Sequence, residues 1–138
     1  MRNKKISLYI DGASRGNPGP AGIGVLILDN DGKKIKEVYK YIGQTTNNVA
    51  EYNALLYALD EALMLRADEI ELNLDSELVV KQLTGEYRVK SDEMKLFFEK
   101  ALHILKSFKK FEINHIDRSQ NKEADKLANK AINLADLA

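Results

Sequence analysis

Two short stretches of this chain alternate apolar and polar side chains and stop on an aspartate. From Lys5 to Asp11, Ile6, Leu8 and Ile10 face one way and Ser7, Tyr9 and Asp11 the other. From Glu69 to Asp75, Ile70, Leu72 and Leu74 oppose Glu71, Asn73 and Asp75. A period of two residues is that of a half-buried β-strand. Between these stretches Tyr52, Leu55, Leu56, Leu59 and Leu63 recur at helical spacing, which predicts one buried helix face running to about Leu65. A chain that switches from the strand period to the helix period and back must lay helices against a sheet.

The remaining elements follow the same logic. Gly16-Asn17-Pro18-Gly19-Pro20 must be a turn, because such a cluster of prolines and glycines cannot continue a ladder. The apolar run Ala21 to Leu28 reads as a second strand. Asp29-Asn30-Asp31-Gly32 punctuates a hairpin, and Lys33 to Ile42 reads as a third strand. Asn48-Val49-Ala50-Glu51 has capping-box spacing at the start of the first helix. Ser76 can cap a short helix that ends before Gly85, and Ser91-Asp92-Glu93 opens another. The apolar stripe of that third helix is Leu96, Phe97, Ala101, Ile104, Leu105 and Phe108. Lys109 to Asp117 is a fifth strand. Asn121 can cap a last helix with Ala124, Leu127, Ala128, Ala131, Ile132 and Leu134 as its apolar positions. An antiparallel meander followed by strand–helix alternation implies an α/β fold with a mixed sheet and helices on its faces.

Composition narrows the function. With no cysteine, disulfides, thiolate zinc sites and cysteine nucleophiles are excluded. The 138 residues are expected to form one domain, 1–138. The basic start, Met1-Arg2-Asn3-Lys4-Lys5, is followed by no signal-peptide core, and no apolar run approaches the roughly 18 residues of a membrane span. A cytoplasmic protein with no membrane association is therefore expected, and with no extended apolar seam, a monomer. The 21 basic and 21 acidic residues balance, but unevenly. Asp60 to Glu77 holds seven acids against Arg66 alone, a local charge of about −6. The overall charge neither demands a polyanion partner nor excludes one.

Asp11 and Asp75 end strands, and ligands of open α/β sheets gather at the carboxyl ends of strands. Glu51 and Asp125 lie near the starts of helices, whose free N–H groups can point at the same place. Each acid also has an ordinary reading. Glu51 closes a capping box, Asp75 precedes a helix start, Asp125 is a solvated first-turn acid and Asp11 marks a strand-to-turn transition. If they converge, carboxylates without thiols favour a hard cation such as Mg²⁺ or Mn²⁺, and carboxylates shared between two such ions suit phosphoryl transfer.

At these same residues the chain resembles type 1 ribonuclease H. The matching blocks are Tyr9 to Ser14 with Gly16 to Gly22, Thr45 to Glu51, Leu74 to Val80, and Asn121 to Ala128. Four blocks in the family's order cover nearly the whole chain. The resemblance implies a five-stranded mixed sheet of order 3-2-1-4-5, flanked by helices on both faces. It implies an endonuclease that hydrolyses the RNA strand of RNA–DNA hybrids, leaving 5′-phosphate and 3′-hydroxyl ends. The family's acidic tetrad falls on Asp11, Glu51, Asp75 and Asp125. Two Mg²⁺ ions, with Mn²⁺ as a substitute, would be bridged by Asp11. Asp125 would hold the ion that activates water, and Glu51 and Asp75 the ion beside the leaving oxygen. Asn17, Asn48, Glu51 and the backbone from Gly12 to Ser14 would meet the RNA strand. Thr46 and Asn47 would contact the DNA strand.

Three departures from the family pattern stand out. No histidine lies between Arg118 and Asn121, so Arg118 is the candidate for a phosphate contact there; His115 and His103 read as structural. Gly85 to Ser91 passes straight into the next helix without an inserted basic handle, leaving Tyr87, Arg88 and Lys90 as a reduced contact surface. No separate hybrid-binding domain is expected. With fewer phosphate contacts than members that carry the handle, the chain is expected to bind hybrid more weakly and with greater sensitivity to salt. The rival reading is a catalytically inactive ribonuclease-H-like module that binds hybrid without cutting it. Such a module would be expected to lose tetrad acids, whereas all four are present. A transposase or resolvase core on the same fold ranks lower, since the Thr45-Thr46-Asn47-Asn48 block argues against it.

Overall fold

The computed structural model describes residues 3–137, so Met1 and Arg2 of the basic N-terminal run lie outside the described residues. Strands β1 (Lys5–Ser14), β2 (Gly19–Asp29) and β3 (Lys34–Thr45) form the antiparallel meander. Helix α1 (Asn47–Met64) leads to β4 (Glu69–Leu74). Helices α2 (Glu77–Leu83) and α3 (Asp92–Leu105) precede β5 (Lys110–His115). A 3-10 turn at Arg118–Gln120 then opens into α4 (Lys122–Asp136). The sheet order is β3-β2-β1-β4-β5, with β1–β4 and β4–β5 parallel. This is the expected mixed sheet, and it sets the C-terminal ends of β1 and β4 side by side.

Helix α1 packs on one face of β1 and β2, with α3 against it, and α4 packs on the other face of β1, β2 and β3. The core between sheet and α1 is filled by Ile6, Leu8, Ile10, Leu72 and Leu74 from the strands and Tyr52, Leu55 and Leu59 from the helix, all essentially inaccessible to solvent. Two glycines let the helices come close. A Cβ at Gly12 would strike the Ala50 carbonyl in the first turn of α1, and one at Gly24 would strike the Ala124 carbonyl in the first turn of α4. Asp11 lies directly opposite Gly24 in the ladder and therefore shares its α4-facing side. Next to it, Gly12 faces α1. The end of β1 thus meets the N-terminal turns of both helices.

The observed ends correct several local expectations. Strand β1 continues three residues past Asp11, because β2 pairs with it as far as Ser14. Asn48 does not cap α1; Thr46 does, its hydroxyl accepting from the Val49 amide at 3.3 Å, and Glu51 is the fifth helical residue rather than the partner in a capping box. Asn121 makes no side-chain cap to α4. Ser76 and Ser91 do cap α2 and α3. Gly85, at φ +85°, lies just beyond the end of α2. Leu63, Leu96 and Leu134 sit at helical spacing but remain exposed. His115 closes β5 at the surface, and His103 is exposed on α3.

Candidate metal centre

Asp11, Glu51 and Asp75 come from β1, α1 and the residue just after β4. Each offers a carboxylate oxygen, and these oxygens all lie within 4.8 Å of one another. Asp11 is 5% exposed and Glu51 3%. Together with Asp125 they line a cleft of about 280 Å³ that also touches Gly12, Ala13, Asn47, Ser76 and Arg118. Arg118 is the one basic residue among those lining it, and among the described residues no ion pair neutralises any of the four acids. A larger groove of about 490 Å³ lies along α2, lined by residues such as Gln82, Tyr87, Arg88 and Lys90. Volume therefore does not single out the site; the convergence of charge does.

Crowding and burial show in the protonation equilibria. Burial pushes the Asp11 carboxyl up to about 8, and the negative charges of Asp75 and Asp125 add to the effect. Glu51 is likewise held well above the carboxylate range, first by burial and then by Asp11 and Asp75, while the Gly12 amide opposes the shift. The Glu51 Oε2 atom is buried with no hydrogen-bond partner. An orphaned carboxylate oxygen beside two further carboxylates is a position that asks for a cation. Donors that are all oxygen, with no thiol or imidazole, suit a hard divalent ion, so the residues fit the group the sequence implies.

The partners around the cleft were only partly foreseen. Asn17 Oδ1 accepts from the Asn47 backbone amide at 3.1 Å, joining the β1–β2 turn to the start of α1. Ser14 turns back into its own loop, its hydroxyl donating to the Gly16 carbonyl at 2.7 Å. Asn48 is exposed in the first turn of α1, and Thr46 is engaged as its cap. Sequence reasoning missed the role of Asn121. Its side chain is 1% exposed, and Nδ2 donates to the Ile10 carbonyl at 2.9 Å and to Asp75 Oδ2 at 3.1 Å. This one amide ties α4 to β1 and aims the Asp75 carboxylate. No local signal could have shown it, because both acceptors are distant in sequence.

The sheet order and the carboxylate cluster at its parallel strand ends define an α/β protein with a site that could hold a metal ion. A family model described as reverse transcriptase-like matches residues 9–131. The chain is 43% identical to ribonuclease HI of Halobacterium salinarum over 131 residues, covering 95% of this chain and 66% of that protein. It is 39% identical to a bifunctional protein of Mycobacterium tuberculosis, of which it spans 36%. It is 34% identical to ribonuclease HI of Rickettsia conorii, covering 91% of this chain and 90% of that one. It thus spans less than two thirds of the first two proteins and nearly all of the third. Among solved structures, RNase H1 from Halobacterium salinarum superposes with a TM-score of 0.91 over 94% of this chain and 98% of that one. LC11-RNase H1, solved in complex with an RNA/DNA hybrid, is 46% identical, with a TM-score of 0.88 and coverage of 94% and 98%. The chain belongs to the ribonuclease H family.

Proposed function

We propose that this chain is a metal-dependent endoribonuclease that hydrolyses the RNA strand of RNA–DNA hybrids and leaves 5′-phosphate and 3′-hydroxyl ends. The observation that carries the reading is the convergence of Asp11, Glu51 and Asp75 within 4.8 Å. Kinship with ribonucleases H supports it, including a relative solved with an RNA/DNA hybrid. Asp11, Glu51, Asp75 and Asp125 would hold two Mg²⁺ ions, with Mn²⁺ as a substitute. When bound, such ions lower the pKa of water and place positive charge where the 3′ oxygen departs.

The chain's own residues do the rest. The buried Asp11 and Glu51 and the hydrogen-bonded Asp75 present fixed carboxylates, so the site is ordered before substrate arrives. Asn121 keeps the Asp75 carboxylate aimed by a 3.1 Å hydrogen bond. Arg118, at the rim of the cleft, is suited to a phosphate oxygen through its planar fork of donors. The backbone from Gly12 to Ser14, with Asn17, Asn48 and Glu51, is our candidate surface for RNA, whose 2′-hydroxyl both donates and accepts. Thr46 and Asn47 are the candidates for the DNA strand. We read residues 1–138 as one catalytic unit, acting as a monomer in the cytoplasm.

The test compares cleavage of labelled RNA–DNA, RNA–RNA and DNA–DNA duplexes, each with Mg²⁺, Mn²⁺ or chelator. Cleavage of the RNA strand of the hybrid, lost with chelator, is the expected result. Intact hybrid in both metals would overturn the proposal.

A further inference from the structure

Asp125 neighbours Asp11 but does not join the tight three-acid cluster. It lines the same cleft but is not among the carboxylates that meet within 4.8 Å, and it is half-buried on the first turn of α4. A half-buried carboxylate at a helix end is free to rotate unless something holds it. One turn on, Asn129 Nδ2 donates to the Asp125 carbonyl at 3.0 Å and to Asp125 Oδ1 at 3.3 Å. The other side of the same amide is also engaged: Arg15 Nη2 donates to Asn129 Oδ1 at 3.2 Å. Arginine only donates and a carboxylate only accepts, so the Asn129 amide has one self-consistent orientation between them. The Arg15 guanidinium is itself steadied by Asp136, at 3.6 Å, on the last turn of α4.

We infer that Asn129 is a positioning residue for Asp125 and that Arg15 holds Asn129 in the orientation this requires. The inference rests on the endonuclease reading for its catalytic consequence, though not for its effect on cation binding. Arg15 sits in the β1–β2 turn two residues before Asn17, and Asn17 is joined to α1 through the Asn47 amide. The turn therefore links the start of α1 to the middle of α4, and whatever orders it also orients Asp125. The chain Arg15–Asn129–Asp125 spans 114 residues of sequence in two hydrogen bonds.

The experiment uses the full chain and the variants Asn129→Ala, Asn129→Asp, Arg15→Ala and the Arg15→Ala/Asn129→Ala double. Mn²⁺ affinity is read by electron paramagnetic resonance, kcat and KM on labelled hybrid, and unfolding midpoints in chelator. Asn129→Ala is expected to weaken Mn²⁺ binding and lower kcat by about 10-fold, the low end for partners of metal ligands, with KM and unfolding midpoint nearly unchanged. Asn129→Asp keeps the side chain's shape and its contact with Arg15 but sets a second negative charge against Asp125, so its kcat should fall below that of Asn129→Ala. A space-filling role predicts the opposite order. Arg15→Ala should weaken Mn²⁺ binding about threefold alone and have no further effect on Asn129→Ala, since coupled partners are not additive. Unchanged Mn²⁺ affinity in Asn129→Ala, the reversed order of the two Asn129 variants, or additive losses in the double variant would each overturn the inference. If the unmodified chain left hybrid intact, the endonuclease reading would fail, while the Mn²⁺ titrations would still decide the role of Asn129.

Discussion

The two sides of the cleft are built differently. Where β1 meets α1, Asp11 and Glu51 are buried with Asp75 half-buried beside them, and Gly12 lets the helix backbone press against β1. On the α4 side, Asp125 is half-buried and is held by a surface asparagine and arginine. The first arrangement stores electrostatic cost in a rigid cluster. The second holds one half-buried carboxylate through side-chain hydrogen bonds.

The sharpest way to break this contrast is to neutralise one acid on each side. Asp11→Asn is expected to lower kcat by roughly 10³-fold or more, the scale of losing an indispensable charged group, with circular dichroism unchanged. Asp125→Asn should cost less, about 10²-fold, because it lies outside the three carboxylates that meet within 4.8 Å. Equal losses, measured on labelled hybrid, would erase the distinction. Gly12→Ala probes the packing that creates the rigid side. Its Cβ would meet the backbone of Ala50 and Glu51, so α1 must move; a loss of about 1–3 kcal/mol in stability is expected, read by urea denaturation.

The remaining expected effect is on the pH dependence of stability. In the unfolded chain Asp11 titrates near 3.8, and in the folded chain near 8. A carboxylate raised on folding favours the folded state fully at low pH, and that advantage is lost as pH rises through the folded value. In chelator, stability should therefore decline from about pH 4 toward pH 8, and Mn²⁺ should reverse the decline. Asp11→Asn should flatten the slope and stabilise the metal-free protein at pH 7. A metal-free protein that gained stability with pH across this window would contradict a cluster held under charge repulsion.

Much of the fold was legible because its signals are short-range. Ser76 and Ser91 cap helices as their spacing suggests, since a cap is a contact over three residues. The cap of α1 was misplaced by two residues, because Thr46, Asn47 and Asn48 are all good caps by type and only the closure of β3 onto Gly19 settles which one is used. Leu96 and Leu134 kept helical spacing yet stayed exposed, because periodicity marks a face without saying whether anything covers all of it. The four acids could be nominated from strand ends and helix starts. Their capping and solvation readings could not be dismissed until a third dimension brought Glu51 beside Asp11.

Alternation, turn chemistry and the four acidic positions were written in the one-dimensional pattern, because each depends on neighbours within a turn or a strand pair. The tertiary structure alone decided that Asn121 serves Asp75 instead of capping α4, and that Arg15 reaches Asn129 from the other end of the chain. Those hydrogen bonds join residues 46 and 114 positions apart in the chain. Such partners are chosen by how sheet and helices pack, which no local preference encodes.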